Sequence, residues 1–187
     1  AGSTTWSTRA ACFNELTALM SSDARRNEVA PLVDKITSLL LERLSDPHYK
    51  VVHAALDCTG SLAMNFPYAI EPHLERFLPQ LLLRVQEARD TLRAAAQEAL
   101  QSVQSAFTPE GLVPVLLRVL DVNLPRVRAA ALSMLAQCVV GAPQYIAQPS
   151  HMRQCVAKAH THLSDKNAEL RRAALSCLHA LHEASAA

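Results

Sequence analysis

A stripe of apolar residues recurs four times along this chain in one register. Anchored on Val51, it continues through Ala55, Cys58 and Leu62. Anchored on Leu92, it runs through Ala96, Ala99 and Val103; on Val127, through Ala131, Met134 and Cys138; on Leu170, through Ala174, Cys177 and Leu181. Steps of four, seven and eleven residues mark one face of an α-helix. Further apolar residues precede each anchor: Leu41 and Leu44, Leu82 and Val85, Leu117 and Leu120. Before the fourth anchor stands Leu163, with His160 in the remaining place. The anchors lie 41, 35 and 43 residues apart. No other feature restricts the possible folds so strongly.

A repeat of about 40 residues with two helices per unit is the signature of HEAT or armadillo solenoids. The expected fold is therefore all-α, an α-solenoid of HEAT-like helix pairs. A small Ala four residues after three of the anchors, and again after the fourth, lets helices approach closely. The layout begins with a helix over 7–20, the second half of a truncated unit. Four pairs follow: 31–45 with 48–65, 71–87 with 90–106, 109–121 with 125–140, and 150–164 with 167–184. Pro31, Pro47, Pro72, Pro109, Pro125 and Pro149 stand where helices begin or break. Pro79 and Pro114 fall inside helices and predict kinks. Segments 21–30 and 141–149 read as loops. Residues 1–5 read as a non-native or disordered start, and 6–187 as a single domain, because a solenoid shares one continuous core.

Composition removes most chemistry. Four glycines leave no room for a Gly-rich phosphate loop, and neither GxSxG nor HExxH occurs. His160 and His162 point to different helix faces; His179 and His182 can share one, but no Cys or carboxylate completes a ligand set. No enzyme, metal or cofactor is expected. Five scattered cysteines without a CxxC argue for a reducing compartment. Cys58, Cys138 and Cys177 lie on the stripe and read as small core residues. A net charge of +1 disfavours nucleic acid. No apolar run reaches the ~18 residues of a membrane helix.

The turns within helix pairs of a solenoid are expected to fall on one edge. Ahead of the first helix is TTWSTRA, with the chain's one Trp, Trp6. The second turn, DPHYK, carries His48, Tyr49 and Lys50. The third, EARDTLR, carries Arg89 and Arg93. The fourth, DVNLPRVR, carries Asn123, Arg126 and Arg128, and the fifth, SDKNAELRR, carries Lys166, Asn167 and Arg171. Cations near helix N-termini are mildly disfavoured, by ~0.3–1 kcal/mol each. Their repetition on one rim suits a large acidic partner. A Trp at the end of that rim suits an interface anchor.

WSTRAACFNEL resembles the first turn and second helix of a TOG domain. LSDPHYKVVHAALD is similar to the second turn of the C-terminal TOG domain of the CLASP family, especially its plant and algal members. LPRVRAAALSML and LSDKNAELRRAALSCL resemble its fourth and fifth turns. The resemblance covers residues 6–184. It implies a monomeric, cytoplasmic, microtubule-associated domain whose turn edge binds αβ-tubulin or the microtubule lattice and regulates microtubule dynamics. By the same resemblance Trp6 and Lys50 would meet β-tubulin, Arg126 and Arg128 the middle, and Lys166 and Arg171 would lie toward α-tubulin. Glu87 and Asp90 depart from the pattern in the third turn, where a more basic turn would suit tubulin better. The alternative is a HEAT-repeat adaptor that binds a protein partner on its flank or inner face.

Overall fold

The computed structural model describes residues 5–186. Every regular element among them is helical. The chain divides into two compact units, one ending at Ala106 and the other beginning at Phe107. The first holds α1 (Trp6–Ser21), α2 (Arg26–Val29), α3 (Val33–Arg43), α4 (Tyr49–Asn65), α5 (Pro67–Ile70), α6 (Leu74–Arg84) and α7 (Asp90–Ala106). The second holds α8 (Pro109–Val119), α9 (Pro125–Gly141), α10 (Pro143–Ile146), α11 (Pro149–His160) and α12 (Ala168–Ser185).

In the first unit α4 lies between α1 and α7, while α3 and α6 pack as hairpin partners on α4 and α7. In the second, α9 packs on α12, with α8 and α11 as their hairpin partners. The recurrent stripe is the reason. All sixteen of its residues are buried, from Val51, Ala55, Cys58 and Leu62 through Leu170, Ala174, Cys177 and Leu181. Of the residues ahead of the anchors, Leu41, Leu44, Leu82, Leu117 and Leu120 are buried. Val85 and Leu163 are partly exposed, and His160 is exposed. Close packing is demanded at Gly60 on α4: a Cβ there would stand 3.1 Å from the Ser102 Oγ and 3.3 Å from the Ala99 Cα of α7.

The prolines correct the layout. The helices placed at 31–45 and 71–87 are shorter, and each is preceded by a 3₁₀ turn, Ala30–Leu32 and Glu71–His73, that contains Pro31 or Pro72. A proline has no N–H to give the preceding turn, so it is tolerated at such a start. The loops expected at 21–30 and 141–149 contain the short helices α2 and α10. Pro79 and Pro114 lie inside α6 and α8, which continue through them. The carbonyls that lose a partner belong to the exposed residues Glu75 and Glu110, where water can replace the bond. Of the expected start over 1–5, residues 1–4 lie outside the described ones. Thr5 caps α1, its hydroxyl accepting the Thr8 N–H at 3.3 Å.

Contacts about one repeat apart tie neighbouring turns together. Arg84 donates to the Leu44 carbonyl at 3.0 Å and Gln80 to the Leu41 carbonyl at 3.3 Å, so α6 satisfies the open C-terminal end of α3. In the second unit Lys158 of α11 pairs with Asp121, just past the end of α8.

Candidate functional site

In the first unit three successive turns are joined by a run of stacked side chains. Trp6, the first residue of α1, lies flat on the His48 imidazole, with ring centres 4.3 Å apart and planes 8° from parallel. His48 stacks in turn on Tyr49 at 5.2 Å. The Lys50 ammonium stands 4.9 Å from the Trp6 ring centre, and the Arg89 guanidinium covers Tyr49 at 3.8 Å. Each aromatic pair contributes ~0.5–1.5 kcal/mol beyond its buried area, and an exposed cation–π contact ~0.5–1 kcal/mol. Trp6 is 40% exposed, an indole held in place by its neighbours yet still open to solvent.

Local structure explains how His48 is aimed. It is the N-cap of α4, and its Nδ1 accepts the Lys50 N–H at 3.3 Å. That bond requires Nδ1 to be unprotonated. Asp46, legible in the sequence only as part of the second turn, ties the stack to α1. Asp46 is buried and takes two hydrogen bonds from Arg9 of α1, at 2.9 and 3.0 Å. It also accepts the His48 N–H at 2.9 Å and faces Arg43 at 3.8 Å. Burial alone would raise the Asp46 carboxyl. The hydrogen bonds from Arg9 and His48, with the charges of Arg9 and Arg43, outweigh burial and hold it below the usual range. One carboxylate thus fixes α1, which carries Trp6, against the turn that carries His48. The Asp-Pro pair signalled a turn, but nothing local announced an arginine 37 positions upstream.

The third turn resolves its own departure. Glu87 pairs with Arg84, and Asp90 pairs with Arg93. Arg93 also donates to the Glu87 carbonyl at 2.8 Å, so its guanidinium serves the turn. Arg89 is the cation of this turn that reaches the aromatic run.

The second unit presents a different edge. Asn123, Arg126 and Lys166 are exposed. Asn167 caps α12, accepting the Leu170 N–H at 3.0 Å while its own N–H donates to Asp165 at 2.8 Å. Arg171 donates to the carbonyls of Asp165 and Lys166 at 2.7 and 3.0 Å. Both residues build the turn as much as they decorate it. Arg128 is half-buried and lines a recess between the end of α8, the first turn of α9 and the end of α11. Leu124, 45% exposed in the fourth turn, went unnoticed because an apolar residue next to proline reads as filler.

Burial pushes the thiols of Cys58 and Cys177 up to about 12 and those of Cys138 and Cys155 up to about 11. They are protonated at neutral pH and act as core residues. Among the described residues no three His, Cys, Asp or Glu side chains gather as metal ligands.

Residues 60–187 match a family model described as stalled ribosome sensor GCN1-like, HEAT repeats. The chain belongs to this HEAT-repeat family. Its repeats also have a relative within the family named from the turn motifs: a CLIP-associated protein of Arabidopsis thaliana is 28% identical over 181 residues, 94% of this chain. The chain spans 13% of that protein's length. Two solved structures share the fold. A TOG domain of C. elegans Zyg9 superposes with a TM-score of 0.72 at 18% identity, covering 96% of this chain and 70% of its own. A structure from work on TOG–tubulin binding specificity also gives 0.72 at 18% identity, covering 97% and 73%. The HEAT repeats of this chain are therefore of TOG type in fold.

Proposed function

We propose that residues 6–187 act as one tubulin-binding domain that regulates microtubule dynamics through its intra-repeat turns. The observation that carries this reading is the run Arg89, Tyr49, His48, Trp6 and Lys50, which gives three turns of the first unit one aromatic and cationic surface. The exposed Arg126 and Lys166 of the second unit add positive charge on their own turns. Tubulin is the partner named in work on a TOG structure with this fold, and the Arabidopsis relative is a CLIP-associated protein. The domain performs no chemistry. It acts by unequal affinity for tubulin conformations, which shifts the population it binds best. It works as a monomer in the cytoplasm, on microtubules; none of the described helices is long and apolar enough to cross a membrane.

Gel filtration with free tubulin, run beside microtubule co-sedimentation, tests the reading. The chain is expected to move with tubulin in at least one assay. Reversing Lys50, Arg126 and Lys166 to Glu is expected to abolish that movement. Unchanged binding by the reversed chain would transfer the function to the flank and favour an adaptor.

A further inference from the structure

The imidazole of His48 is used twice. Its face carries Trp6, with ring centres 4.3 Å apart and planes 8° from parallel. Its edge caps α4, where Nδ1 accepts the Lys50 N–H at 3.3 Å. A nitrogen that accepts carries no hydrogen, so the neutral ring is the Nε2–H tautomer. A second proton can enter only at Nδ1. There it faces the Lys50 N–H that the ring now caps, donor against donor. Imidazole is the side chain suited to changing charge between about pH 5 and 8.

We propose that His48 is a positioning residue that releases Trp6 when it takes up a proton. The Nδ1 bond holds the ring in the one orientation that lies flat under the indole. Without that bond the ring turns about its side-chain bonds, and the overlap with Trp6 is lost. The charges nearby act in the same direction. Lys50 of α4 stands 4.9 Å from the Trp6 ring centre, and Arg89 of the third turn 3.8 Å from that of Tyr49. Asp46 accepts the His48 N–H from below, but Arg9 of α1 and Arg43 of α3 already face the same carboxylate. Glu87 and Asp90 of the third turn are spent on Arg84 and Arg93. An imidazolium would join a run that already carries cations, which disfavours it in the stack. The attraction of the indole face for a cation is served by Lys50.

Proton uptake and binding are thereby linked. A partner that needs Trp6 on its platform binds the neutral form of His48. Binding then releases the proton, and affinity weakens as pH falls. The latch is a property of the free chain, and only what it controls rests on the tubulin reading.

The test is an NMR titration of the 187-residue chain with isotope-labelled histidine, from about pH 8 to pH 5. The His48 ring nitrogens report the proton, and NOEs between His48 and Trp6, the chain's one Trp, report the stack. In the free chain the NOEs are expected to vanish as Nδ1 gains its proton. His48→Phe keeps a ring without the proton, and His48→Asn keeps the cap without the ring. The Trp6 indole signal is expected to be flat with pH in both. NOEs that survive protonation of His48, or the same acid shift of Trp6 in the two variants, would overturn the proposal. If His48→Phe melts early, the unaltered chain and His48→Asn decide the matter. Tubulin affinity over the same range is expected to fall about 10-fold in the unaltered chain and to stay level in His48→Phe. A stack that opens while tubulin affinity stays level would overturn the control of binding. A stack that opens in a chain that binds no tubulin at any pH would end the tubulin reading and leave the latch standing. A stack indifferent to acid in a chain that binds tubulin would do the reverse.

Discussion

The two units build the same kind of turn from different chemistry. In the first, the turns hold each other through flat rings: Trp6 on His48, His48 beside Tyr49, Arg89 over Tyr49. In the second, the turns contain no aromatic ring; Asn167 and Arg171 spend their polar groups on their own backbone, and the outward groups are Asn123, Leu124, Arg126 and Lys166. One edge therefore offers area and a stacked indole, while the other offers mainly exposed charge. Stacking and burial respond weakly to salt, whereas exposed charges are screened within about 8 Å at physiological ionic strength. A partner that meets both edges would be anchored by the first and steered by the second.

The most severe way to break the comparison is to remove the frame beneath one edge. Val51 is fully buried at the start of α4, so Val51→Asp places an unpaired charge in the core and is expected to abolish the cooperative melt of the whole chain. Circular dichroism across a thermal ramp checks it. A surviving transition carrying only the helices of the second unit would show that the two units fold separately and would end the single-domain proposal.

Asp46→Ala comes next. It leaves Arg9 and Arg43 facing an empty site and is expected to cost ~3 kcal/mol of stability, read by urea titration. The sign with pH follows from the lowered carboxyl. Its stabilisation is complete above about pH 4, the unfolded carboxylate's value, and is lost as pH falls through the still lower folded one. The wild-type chain should lose this increment in acid, and Asp46→Ala should show no such loss at that step. Equal acid sensitivity in both chains would contradict the role given to Asp46.

The smallest effects belong to the charged edge. Arg126→Glu with Lys166→Glu is expected to weaken tubulin binding about 10-fold at low salt, from ~0.5–1 kcal/mol per exposed charge contact, and the difference should shrink as salt rises. Binding curves at two ionic strengths check it. A salt-independent loss would mean that these residues act through packing and would erase the contrast between the units.

The frame was legible in the sequence because its signal is local and repeated. Each stripe residue is spaced from the next by helical geometry alone, and all sixteen are buried. The turn residues were legible as a list for the same reason, since a two-helix repeat fixes where turns fall. Their relations were not. His48 and Trp6 are 42 positions apart, and Asp46 finds its arginine 37 positions away; no pattern within one repeat encodes either meeting. The recess was missed because His162 was weighed only as a metal ligand, and only packing places it and Lys158 around Arg128. The short helices α2 and α10 were missed because single turns beside proline carry too few residues for a period to appear.

If the aromatic turn of the first unit anchors tubulin, Trp6 is its exposed centre. The most direct test is the affinity of Trp6→Ala for tubulin, measured with the melting curve of the same sample. Binding is expected to weaken by about 30-fold, ~2 kcal/mol, at low and high salt alike, with the melt nearly unchanged. Wild-type affinity in a folded Trp6→Ala chain would contradict it.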